Sequence, residues 1–87
     1  MSQPIRVHRV QTGVRIEKRM LKVLKSLAEY LDMSLGDLVE GIVLAAFDGK
    51  GPFIPSTLEK INQLKTVYGM DYGVEASHRM IDMEEKK

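Results

Sequence analysis

The stretch RVQTGVRIEKRM, residues 9–20, poses the central question of this chain. From Val10, apolar or β-branched residues fall on alternate positions: Val10, Thr12, Val14 and Ile16. Arg9, Gln11, Gly13 and Arg15 lie between them. A period of two describes a strand with one apolar and one polar face. No second strand pattern follows. A lone strand satisfies neither its backbone groups nor its apolar face, so the pattern predicts a partner strand from outside the chain.

The residues around this stretch read as helices. Met20, Leu21, Leu24, Leu27, Ala28 and Leu31 recur at spacings of three and four, predicting a basic amphipathic helix over 17–32. Ser34 is a good N-cap, with Asp37 three residues on as a shortened capping box. A second helix is expected over 35–47, with Leu38, Val39, Ile42, Val43, Ala46 and Phe47 on a broad apolar face. Gly41 within it points to a close helix–helix approach, and Gly49 suits the position after the helix. A third helix is expected over 57–68, opened by a capping box at Ser56–Glu59 and ended by Gly69. Its Leu58, Ile61 and Leu64 are expected to dock on the core, with Phe53 and Tyr68 at the rim. A short final helix carrying Val74, His78 and Ile81 is expected over 74–83, then a frayed EEKK tail.

Composition limits the function classes. Eighty-seven residues allow one domain with a short extension. The expected divisions are a flexible arm at 1–8, a dimerisation domain at 9–48 and a helical extension at 52–87. With no cysteine, disulfides and thiol chemistry are excluded. The N-terminus has no apolar core of a signal peptide, and IVLAAF is too short to cross a bilayer. A cytoplasmic protein without membrane contact is the expectation. No catalytic residue, metal site or cofactor is indicated. Glycine spacing fits no phosphate loop, and His8 and His78 have no companion ligands in the sequence pattern.

Charge is unevenly spread. Residues 1–25 hold seven Lys/Arg and one acid, a net +6, whereas the remaining 62 residues hold six and eleven, a net −5. A basic end on a near-neutral chain points to an anionic partner there. An unpaired strand and a helix with a broad apolar face also point to a twofold homodimer. Its core would comprise Val14, Ile16, Leu24, Leu27, Leu38, Val39, Ile42, Val43 and Phe47.

Over residues 9–47 this order of elements resembles the ribbon-helix-helix DNA-binding proteins, the family of the Arc and methionine repressors. The resemblance implies a mainly α homodimer whose two N-terminal strands pair into an antiparallel ribbon, with an additional C-terminal helix. It also implies sequence-specific duplex-DNA binding and transcriptional regulation, by a ribbon laid in the major groove. Gln11, Gly13 and Arg15 would then face base edges. Arg9, Lys18, Arg19, Ser34, Leu35 and Gly36 would face phosphates, the last three at a helix N-terminus. Gly13, without a side chain, and Asp37, an acid in the phosphate-facing turn, depart from that scheme. Two alternatives follow: an antitoxin-type protein with a protein partner for residues 52–87, and a dimerisation module that has lost DNA.

Overall fold

The computed structural model describes residues 3–83. The first two residues of the expected arm, and the EEKK tail at 84–87, lie outside the described residues. Three helices account for the regular structure: α1 (Lys18–Tyr30), α2 (Leu35–Phe47) and α3 (Pro55–Tyr68). A single 3-10 turn, Val74–Ala76, follows.

Each helix begins and ends for a local reason. Glu17 caps α1, its carboxylate accepting from the backbone N–H of Arg19 and Met20. Ser34 caps α2 by accepting from the Asp37 N–H at 3.1 Å. α2 closes with the Gly49 N–H donating to Ala46 O and the Lys50 N–H to Ala45 O, around a left-handed Gly49 at φ 68°. α1 closes in the same way, the Asp32 and Met33 N–H groups donating to Glu29 and Ala28 carbonyls. There the left-handed position is an aspartate, at φ 58°. α3 starts two residues earlier than its pattern suggests. Ile54 stands at the cap without a side-chain hydrogen bond, and Pro55 occupies the first turn. Proline's fixed φ and missing N–H suit that place, so it displaces the expected capping box at Ser56.

α1 is the central element, packed against both α2 and α3. It runs antiparallel to α3: the Arg19 guanidinium donates to Gly69 O at 2.9 Å at one end, and Lys60 Nζ lies 4.7 Å from the centre of the Tyr30 ring at the other. Between these ends the Ser26 and Tyr68 hydroxyls share a hydrogen bond of 2.9 Å. The core is small. Val23, Leu27, Ala28 and Leu38 are its buried apolar residues, with Leu24, Leu31, Ile42, Phe53, Ile61 and Leu64 packed part-buried around the last three. Leu58 is half-exposed rather than docked.

The strand expectation is corrected by the structure. Residues 3–17 form no strand, and none occurs among the described residues. The fold is helical, and an antiparallel ribbon is not part of it. Val10 and Val14 are 84% and 75% exposed, so the alternating apolar face is not buried against anything. The physical reason is that a strand is stable only when a neighbour accepts and donates its backbone hydrogen bonds. Among the described residues no segment forms a backbone ladder with residues 3–17. The final helix is also corrected. The 3-10 turn stops at Ala76 and His78 adopts φ 63°, which ends any helical continuation toward Ile81.

Candidate nucleic-acid interface

Six of the seven basic residues of 1–25 fall into two groups that the structure treats differently. The first is a stripe on α1. Lys18, Lys22 and Lys25 recur at spacings of four and three, which puts them on one side of the helix. All three are exposed. Among the described residues none of them pairs with a carboxylate, though Lys22 Nζ lies 5.8 Å from the centre of the Tyr68 ring.

The second group is three arginines, each held by an acid of the same chain. Arg9 makes a two-pronged contact to Glu40 on α2, Nε to Oε2 at 2.9 Å and Nη2 to Oε1 at 2.8 Å. That fork matches a carboxylate's geometry and raises the arginine's pKa while lowering that of Glu40. Arg15 pairs with Asp82. Arg19 contacts Glu17 at 3.3 Å and Asp71 at 3.2 Å, and stacks over the Tyr72 ring at 5.5 Å.

Glu17 is the hub where these contacts converge. Besides capping α1, it accepts from the Tyr72 hydroxyl at 2.6 Å and from Arg19 Nε. Burial raises its pKa, but hydrogen bonds from Tyr72, the Arg19 and Met20 backbone and the Arg19 side chain outweigh that and bring it to about 2. Burial and the same carboxylate push the Tyr72 phenol up to about 12.

The remaining expected site residues lie as follows. Gln11 and Gly13 stand on the exposed extended segment with Arg15, and a Cβ at Gly13 would meet nothing within 4 Å. Among the described residues, the space a side chain at Gly13 would enter is open. Ser34, Leu35 and Gly36 form the first turn of α2, whose Leu35 and Gly36 N–H groups find no acceptor among the described residues. Asp37 is exposed in that turn. Of the expected dimer core, Leu27 and Leu38 are buried and Leu24 and Ile42 part-buried. Val14, Val39, Val43 and Phe47 stand on the surface of the single chain, as does Ile16 at 38% exposure. Gly41 meets nothing within 4 Å either, and it lines an apolar groove with Leu31, Met33, Ile42 and Phe53. The close helix approach expected at Gly41 is thus not made within the chain.

Sequence reading missed the acids that hold the arginines: Glu17, Glu40, Asp71 and Asp82. For Glu40, Asp71 and Asp82 the available signal was the −5 balance of residues 26–87 opposite the +6 of residues 1–25. Opposite charges of similar size on one small chain invite internal pairing.

Comparison with family models, curated proteins and solved structures found no match to this chain. With no strand among the described residues, neither the structure nor the comparisons support the ribbon-helix-helix resemblance. No helix is long and apolar enough to cross a membrane among the described residues.

Proposed function

We propose that the protein binds duplex DNA as a homodimer and regulates transcription. The observation that carries this reading is the exposed Lys18–Lys22–Lys25 stripe, set in the +6 segment of residues 1–25 and unpaired among the described residues. Ammonium groups without a carboxylate partner are available to phosphates, whose neutralisation releases condensed counterions. The first turn of α2 adds backbone N–H groups of the kind that hold a phosphate. Gln11 and Arg15, on the extended segment, supply the groups that recognise adenine and guanine edges.

The dimer is supported by an exposed apolar face on α2. Val39, Val43 and Phe47 recur every fourth residue on α2, with Leu44 beside them, and all are exposed. Such a contiguous apolar face marks an interaction site. A second copy offers a like apolar face to cover it.

The test is selection of genomic fragments by the purified protein, followed by titration of the enriched duplex at several salt concentrations. Replacing Lys18, Lys22 and Lys25 together by alanine should weaken all duplexes alike and reduce the salt slope by roughly 0.9 for each phosphate no longer neutralised. Retention of no duplex, even at about 50 mM salt, overturns the reading in favour of a module that only dimerises.

A further inference from the structure

We infer that the C-terminal segment Met80–Met83 is a built-in competitor for Arg15, displaced when duplex DNA binds. The inference rests on the DNA-binding reading above and adds regulation to it.

After the 3-10 turn, residues 77–79 form a turn with His78 at φ 63°. Met80–Met83 then lies beside Arg15–Arg19, and the two segments line one shared cleft. The contact is anchored by charge. Asp82 takes the Arg15 guanidinium, while Ile81 and Met83 are 89% and 85% exposed and contribute little packing. Upstream in the same connection, Asp71 holds Arg19 together with Glu17. The C-terminal region thus places a carboxylate on each of two arginines of the basic segment. The Asp82 carboxylate and a guanine edge address the same planar fork of guanidinium donors, so one excludes the other at Arg15.

Exposure makes the Arg15 contact reversible. The Arg15 and Asp82 side chains are 89% and 67% exposed, and ion pairs of that kind contribute little to stability. A duplex held by the lysine stripe presents its base edges to Arg15 at high local concentration and so displaces a single surface carboxylate. The lysine stripe makes the first, sequence-independent contact, and Arg15 joins only after exchange.

The experiment is a fluorescence-anisotropy titration of a mixed-sequence duplex with the full chain. It compares wild type, Asp82→Asn, Arg15→Ala and the double variant, at about 50 and 200 mM salt. Asp82→Asn should bind about three- to fivefold more tightly than wild type at the lower salt, with a smaller gain at the higher. In the Arg15→Ala background the same change should bring little or no gain, which separates release of Arg15 from a mere change in net charge. If wild type binds and Asp82→Asn does not improve on it, or the gain persists without Arg15, the competition is overturned while DNA binding stands. If none of the four proteins binds any duplex, both fall together.

Discussion

The Tyr72 hydroxyl donates to the Glu17 carboxylate at 2.6 Å, joining residues 55 positions apart in the chain. This bond ties the cap of α1 to the connection after α3. With the Arg19 contacts to Gly69 and Asp71, it closes the three-helix unit at one end.

Stability should follow the titration of Glu17. Burial works against its ionised form, yet the hydrogen bonds from Tyr72, Arg19 and Met20 hold its pKa at about 2, below an ordinary value of 4.5. Above pH 4.5 the carboxylate is ionised in both folded and unfolded chains, and its contribution is fully present. As pH falls toward 2 the unfolded chain takes up the proton first, and the contribution is lost. Discounted for the side chain's 25% exposure, the effect is about 1–2 kcal/mol. Urea unfolding between those limits should show a decline that Glu17→Gln largely removes and Tyr72→Phe reduces. Equal pH dependence in wild type and Glu17→Gln would refute it.

Val43 and Leu38 should separate assembly from folding. Leu38 is 3% exposed in the single chain, so Leu38→Asp buries an unpaired charge and should unfold it. Val43 is 39% exposed, so Val43→Asp should leave helicity intact while raising the dissociation constant of the proposed dimer about a hundredfold or more. Sedimentation equilibrium and circular dichroism together decide this. A Val43→Asp protein that associates as wild type does would show that α2's exposed face is not the contact.

Two helix ends should respond with opposite signs. Asp32 holds a left-handed conformation at φ 58° that glycine adopts without steric strain, so Asp32→Gly should stabilise by about 0.5–1 kcal/mol. Gly49 holds the equivalent position after α2 at φ 68°, and Gly49→Ala should destabilise by about 1 kcal/mol. Paired denaturant melts measure both, and a common sign would contradict the assignment of these caps.

Leu27 is the most deeply buried side chain, at 2% exposure. In a core this small, Leu27→Ala should cost about 2–5 kcal/mol, a large share of the total stability of a domain. A midpoint of urea unfolding unchanged from wild type would show that the core lies elsewhere.

What could be read from the sequence was whatever neighbouring residues dictate. The bounds of α2, its Ser34 cap and its Gly49 stop follow from side-chain chemistry within a few positions, and the structure places all three there. The apolar stripe of α1 likewise marked Leu24, Leu27, Ala28 and Leu31 as its inward side. The start of α3 was misread because two local signals competed, and proline at the first turn outweighed the serine behind it.

Tertiary structure alone decided the fate of residues 9–16 and of the arginines. Alternation states what a strand would look like, but a strand exists only where a neighbour completes its hydrogen bonds, and among the described residues none forms a ladder with residues 3–17. Arg9, Arg15 and Arg19 look alike in sequence. Their partners Glu40, Asp82 and Asp71 are brought to them by the packing of α2 and α3 on α1 and by the turn at His78. Coulomb attraction and hydrogen bonding act over a few ångströms in space, without regard to separation along the chain. Period, caps and charge balance were therefore legible in the order of residues, and which charge meets which was settled only by the fold.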